Sequence, residues 1–67
     1  MAIHRRSISS TAISSVEYND ETEEMTVTFA DGGQSYTHPG VPWEVFDGLV
    51  SATSAGRYYH ANIKGQY

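Results

Sequence analysis

Hydrophobic and polar residues alternate most cleanly where Met25, Val27 and Phe29 interleave with Thr26 and Thr28, a period of two that predicts a half-buried β-strand. Upstream, an extended segment starts at Ile13, with Val16 and Tyr18 on one face, and the polar run Asn19-Asp20-Glu21-Thr22-Glu23-Glu24 supplies the turn between the two strands. Downstream, Asp31-Gly32-Gly33 predicts a hairpin, because glycine takes positive φ without a Cβ clash, and a third strand follows from Gln34 to about His38. Pro39-Gly40 ends that strand, and the period then becomes helical. Pro42 suits the first helical position, where a missing N–H costs nothing, and Trp43, Phe46, Leu49 and Val50 form one stripe with Glu44 in the first turn. Ser54 is placed to cap a shorter second helix in which Tyr59 and Ile63 lie four apart and Tyr58 points elsewhere. The expected fold class is α+β: a three-stranded antiparallel β-meander covered by one helix, with a short second C-terminal helix. Residues 1–10, Ser/Thr-rich toward their end, read as a flexible N-terminal arm.

Length changes this picture by limiting the core. Sixty-seven residues form a single domain and bury only about 60% of the surface exposed by the unfolded chain, so self-association into a homo-oligomer is expected. The chain has no cysteine for a disulfide framework or thiolate metal cage, and no apolar run long enough for a signal peptide or a membrane span. A soluble, cytoplasmic protein is the expectation. The net charge of −4, with four basic residues in all, argues against a generic nucleic-acid-coating protein. All eight acids lie between Glu17 and Asp47, whereas Arg5, Arg6, Arg57 and Lys64 lie outside that span, so the two chain ends could form one positive face.

Candidate chemistry is sparse. His4, His38 and His60 have no partner at zinc-ligand spacing, and no serine sits in a nucleophile elbow, so neither a metal nor a catalytic role is expected. No cofactor is implied. The acidic run from Asp20 to Glu24 lacks the alternating oxygen ligands of a calcium loop and reads as a solvated hairpin tip. Ser54-Ala55-Gly56-Arg57 is the leading phosphate candidate, because it joins free N–H groups at a helix start to a guanidinium and is followed by Tyr58 and Tyr59. Lys64 falls seven residues after Arg57, on roughly the same side if the helix persists. The alternative is an ordinary helix connection with a solvated arginine. Tyr36 and His38 share a strand face that could stack on a base, although an aromatic ring in a small domain more often packs in the core. Trp43 reads as a core anchor, or as a residue buried between subunits.

The order of these signals resembles a known family. Ile13 to Tyr18, the alternating Met25 to Phe29, the turn at Gly33, Val41-Pro42, a helix ending near Ala52, then Ser54-Ala55-Gly56-Arg57-Tyr58-Tyr59 and Ile63-Lys64 are similar to the KTSC domain over roughly residues 8–67. Where that family carries a Tyr-any-Tyr motif, this chain has Tyr36-Thr37-His38. The resemblance implies a β-then-α domain, found at the C-terminus of some lysyl-tRNA synthetases and as stand-alone bacterial and phage copies. RNA contact is suggested for it, and it brings no enzymatic activity to carry over. The functional expectation is therefore a non-catalytic module that binds or sequesters a small phosphate-bearing ligand, such as a nucleotide or cyclic oligonucleotide. Arg57 would contact phosphate, Tyr58 or Tyr59 would stack, and Arg5, Arg6 and Lys64 would add long-range attraction. The alternatives are an RNA-contacting module using the Tyr36 face and the basic ends, and a protein-binding inhibitor or adaptor using an exposed apolar patch around Trp43 and Phe46 or an unpaired strand edge.

Overall fold

A computed structural model describes residues 2–8 and 11–67. In chain order the elements are β1 (Ile3–Ser7), β2 (Ile13–Asn19), β3 (Glu24–Phe29), β4 (Ser35–His38), α1 (Trp43–Ser51) and α2 (Ala55–Asn62). The strands form one antiparallel meander in the order β1-β2-β3-β4. The α+β class and both helices agree with the sequence, but the sheet has four strands and not three. The extra strand is β1, drawn from the segment expected to be a flexible arm; residues 1, 9 and 10 of that segment lie outside the described residues. An edge strand is held by backbone pairing on one side only, and here just His4 is half-buried, so Ile3-His4-Arg5-Arg6-Ser7 carries no apolar alternation to reveal it.

Register decides which side chains face the helices. His4 pairs with Tyr18, Tyr18 with Met25, and Met25 with His38; Val16, Val27 and Tyr36 line up in the same way. Successive side chains alternate between faces, so these residues share the helix-covered side. A bulge at Ser14 shifts the β2–β3 register and lets Ile13 point inward three residues before Val16, with the Ser14 hydroxyl donating to the Thr28 carbonyl at 3.3 Å. The resulting core contains Ile13, Val16, Tyr18, Met25, Val27, Val41, Phe46, Leu49, Ala55, Tyr59 and Ile63. The opposite face is uncovered and polar, with Thr26 bonded to Thr37 at 2.9 Å and Thr28 to Ser35 at 3.0 Å.

Pro42 is the N-cap and not the first helical residue; its carbonyl accepts from the Val45 N–H at 3.0 Å. The preceding residue is fixed from two sides. The Val41 N–H donates to the Glu23 carbonyl, and the Val41 carbonyl accepts from the buried Tyr18 hydroxyl at 2.6 Å. Phe46 stacks on Tyr18 with ring centroids 5.0 Å apart, so this aromatic pair attaches α1 to the sheet. The predicted stripe holds for Phe46 and Leu49, which are buried, and for Val50, which is partly so. Trp43 departs from it. Placed at the start of α1, it rests by its edges on His4 and Tyr18 and remains 42% exposed. Tyr58 meets α1 at Gly48, where a Cβ would collide with the phenol unless that ring moved.

Candidate functional site

A cleft of about 730 Å3 opens where the β1–β2 linker, the β3–β4 hairpin and the C-terminal half of α2 converge. Its lining combines Thr11, Ala12, Phe29, Asp31, Gln34 and Tyr36 with Tyr59, His60 and Lys64. The hairpin presents its side chains because Phe29 and Gln34 close the loop through an N–H to carbonyl bond of 2.8 Å, while Gly32 and Gly33 take φ of 80° and 66°. Phe29 forms an aromatic floor, with Tyr36 and Tyr59 set edge-on to it at centroid distances of 5.5 and 5.3 Å. Tyr36 lies on the short edge strand and is 49% exposed. Its hydroxyl donates to Gln34 Oε1 at 2.9 Å, which fixes both side chains and leaves the Gln34 amide NH2 available. Among the described residues, neither the Asp31 carboxylate nor the Lys64 ammonium has a hydrogen bond or ion pair.

The residues singled out in the sequence are divided by the fold. Tyr36, Tyr59 and Lys64 meet in the cleft, whereas Arg57 and Tyr58 do not line it. Tyr59 is 5% exposed, so it supports the floor and presents no free face for stacking; Tyr58 is turned toward Gly48. Both placements follow from α2 packing against the core on one side and against α1 on the other. Gly56 approaches Ala12 within 3.0 Å of where a Cβ would stand, a close-packing reason for the glycine in Ser54-Ala55-Gly56-Arg57. Ser54 is at the N-cap but makes no side-chain capping bond. Lys64 follows the end of α2, with its N–H on the Tyr59 carbonyl at 2.8 Å, so the helical spacing from Arg57 is not maintained.

Of the basic residues near the N-terminus, Arg5 stands apart from the helices. Arg5 lies on the uncovered side of the sheet and is bonded to Glu17 Oε1 at 2.7 and 3.0 Å, while Arg6 donates to the Arg5 carbonyl at 3.1 Å. His38 shares the inward face with Tyr36 but is occupied: the Tyr59 hydroxyl is 2.8 Å from Nε2, and the Tyr67 carbonyl is 3.3 Å from Nδ1. Burial first, and then charge on Tyr36, push the Tyr59 phenol above its usual range.

At the far end of the sheet Asp20 fastens β1. Its Oδ1 accepts from the Ala2 N–H at 3.2 Å and its Oδ2 is 3.0 Å from His4 Nε2. The bond from His4 is the main cause holding the Asp20 carboxyl below its ordinary value. A depressed carboxylate stabilises the fold above its unfolded pKa, and that contribution is lost as pH falls through the lower folded value. Amide hydrogen exchange across Ile3–Ser7 is therefore expected to accelerate as pH drops below about 4, relative to its intrinsic acid dependence. Asp20→Asn should abolish that additional pH dependence.

Among the described residues no group of three or more His, Asp or Glu side chains is arranged to hold a metal ion, and no helix is long and apolar enough to cross a membrane. The KTSC domain profile matches residues 9–67. A lysine–tRNA ligase of Nostoc is 38% identical over 55 residues; the match covers 82% of this chain and 10% of the ligase, so the chain spans only about a tenth of that enzyme. A protein of Tsukamurella paurometabola is 33% identical over 60 residues, covering 90% of this chain and 88% of the relative. The crystal structure of a KTSC domain protein from Yersinia pestis superposes with a TM-score of 0.87 at 32% identity, covering 97% of this chain and 90% of that one. Profile, sequence and fold agree over nearly the whole length, and the chain belongs to the KTSC domain family.

Proposed function

We propose that this chain is a non-catalytic binding module whose cleft takes a small ligand combining a planar heterocycle with phosphate, such as a nucleotide or a cyclic oligonucleotide. The observation that carries the reading is the half-exposed Tyr36 ring in the same cleft as the unpaired Lys64 ammonium. An aromatic face attracts a base by stacking, and an ammonium that no carboxylate has paired is available to a phosphate oxygen. A cleft of about 730 Å3 is in the range that encloses a compact organic ligand. His60, on the same wall, offers a second polar contact. A ligand held without turnover is sequestered, a role that suits a stand-alone phage or bacterial protein.

RNA contact is the second reading, favoured by the similarity to a segment of a lysine–tRNA ligase. It has less electrostatic support. Only Lys64 among the four basic residues lines the cleft, and Arg5 is engaged by Glu17, whereas a polynucleotide gains affinity from many phosphate contacts. Isothermal titration with nucleoside monophosphates separates the two. Under the primary reading a mononucleotide binds and raises the melting temperature, and Lys64→Ala weakens it about tenfold through the lost charged contact. Binding to single-stranded RNA that no mononucleotide competes away favours the RNA reading.

A further inference from the structure

The hairpin side of the cleft has hydrogen-bonding chemistry that distinguishes one base from the others. Asp31 and Gln34 flank the two left-handed glycines and both line the cleft beside the exposed Tyr36 ring. An ionised carboxylate only accepts. Gln34 Oε1 accepts from the Tyr36 hydroxyl at 2.9 Å, an arrangement that leaves both NH2 hydrogens free to donate. The wall therefore offers two acceptor oxygens and an amide donor next to a stacking ring.

Resting on the nucleotide reading of the cleft, we propose that the site selects guanine: Asp31 accepts from the N1–H and the 2-amino group, and the Gln34 amide donates to O6, while the base lies against Tyr36. Guanine is the common base whose pairing edge presents two adjacent donors beside an acceptor. Adenine would set its N1 lone pair against the Asp31 carboxylate, and its 6-amino group would meet the Gln34 donor. Both encounters repel in the Gln34 orientation that accepts from Tyr36, and the first, at the Asp31 carboxylate, does not depend on that orientation. Uracil and cytosine supply fewer matched groups and a smaller stacking area. Lys64 is the only lysine or arginine in the lining, so it is the cation that meets the phosphate of the nucleotide.

Titration calorimetry of the full chain with GMP, IMP and AMP reads the proposal. A good bidentate contact discriminates by roughly tenfold to a hundredfold, so GMP should bind that much more tightly than AMP, with IMP between them because it lacks the 2-amino donor. Asp31→Asn should bring GMP down to the affinity of AMP without affecting AMP adversely. Asp31 is exposed in a turn, and an unchanged melting temperature of the ligand-free variant confirms that its fold is retained. Equal affinities for GMP and AMP, or a guanine preference that survives Asp31→Asn, would overturn the guanine assignment and leave the nucleotide cleft standing. No binding of any of the three would overturn both.

Discussion

Tyr18→Ala is expected to leave the domain largely unfolded at room temperature. The side chain is 1% exposed, stacks on Phe46, meets Trp43 edge-on, and donates the 2.6 Å bond that holds the loop leading into α1. Removing a large buried aromatic costs about 3–5 kcal/mol. Marginal stability of about 0.05–0.15 kcal/mol per residue gives a chain of this length only about 3–10 kcal/mol in total. The loss is thus comparable with everything that holds the domain together. Tyr18→Phe separates the two contributions: it keeps the ring and loses the hydroxyl, stranding the Val41 carbonyl, and should cost about 1–3 kcal/mol while the chain stays folded. Urea denaturation followed by circular dichroism checks both. Equal stabilities of Tyr18→Ala and the parent would show that α1 is not anchored through this residue. Burial, reinforced by the charges of Glu23, Asp20 and Glu44, pushes the Tyr18 phenol above its ordinary value, so the bond persists at neutral pH.

Tyr36→Ala should have the opposite profile, severe for ligand and mild for stability. Stacking of a base on an aromatic ring is worth about 1–3 kcal/mol, so nucleotide affinity should fall by roughly fivefold to 150-fold. The ring is half-exposed at a sheet edge and touches the core mainly through Phe29. Its removal also frees Gln34 Oε1, which loosens the amide as well as deleting the stacking face. Tyr36→Phe distinguishes these effects, since it retains the ring and releases the amide. Calorimetric titration of the two variants beside thermal melts gives both quantities, and a Tyr36→Ala protein that binds nucleotide as well as the parent would remove the ring from the site.

The meander from β2 to β4 and both helices were legible because each buries one face, which writes a period into the sequence. The interleaving of Met25, Val27 and Phe29 with threonines is that signature, and Phe46 with Leu49 is its helical equivalent. Strand β1 buries almost nothing, so its pairing with β2 leaves no such trace. The same limit applied to the site. Tyr36 and Lys64 could each be singled out by residue type, but their meeting depends on how α2 crosses the hairpin, a non-local outcome that no spacing encodes. Asp31 and Gln34 were read only as turn and strand residues, because their value lies in standing beside Tyr36. Arg57 attracted attention through its helix-start context, yet the nearby glycine serves the approach to Ala12.

The most direct test of the nucleotide-binding cleft is a heteronuclear NMR titration of the isotopically labelled protein with a nucleoside monophosphate. The predicted result is a set of saturable shift changes confined to the cleft, centred on Asp31, Gln34, Tyr36, His60 and Lys64, with Arg5 and Arg57 unmoved. An unchanged spectrum at millimolar nucleotide, or changes centred on Arg57 or on the uncovered sheet face, would contradict the account.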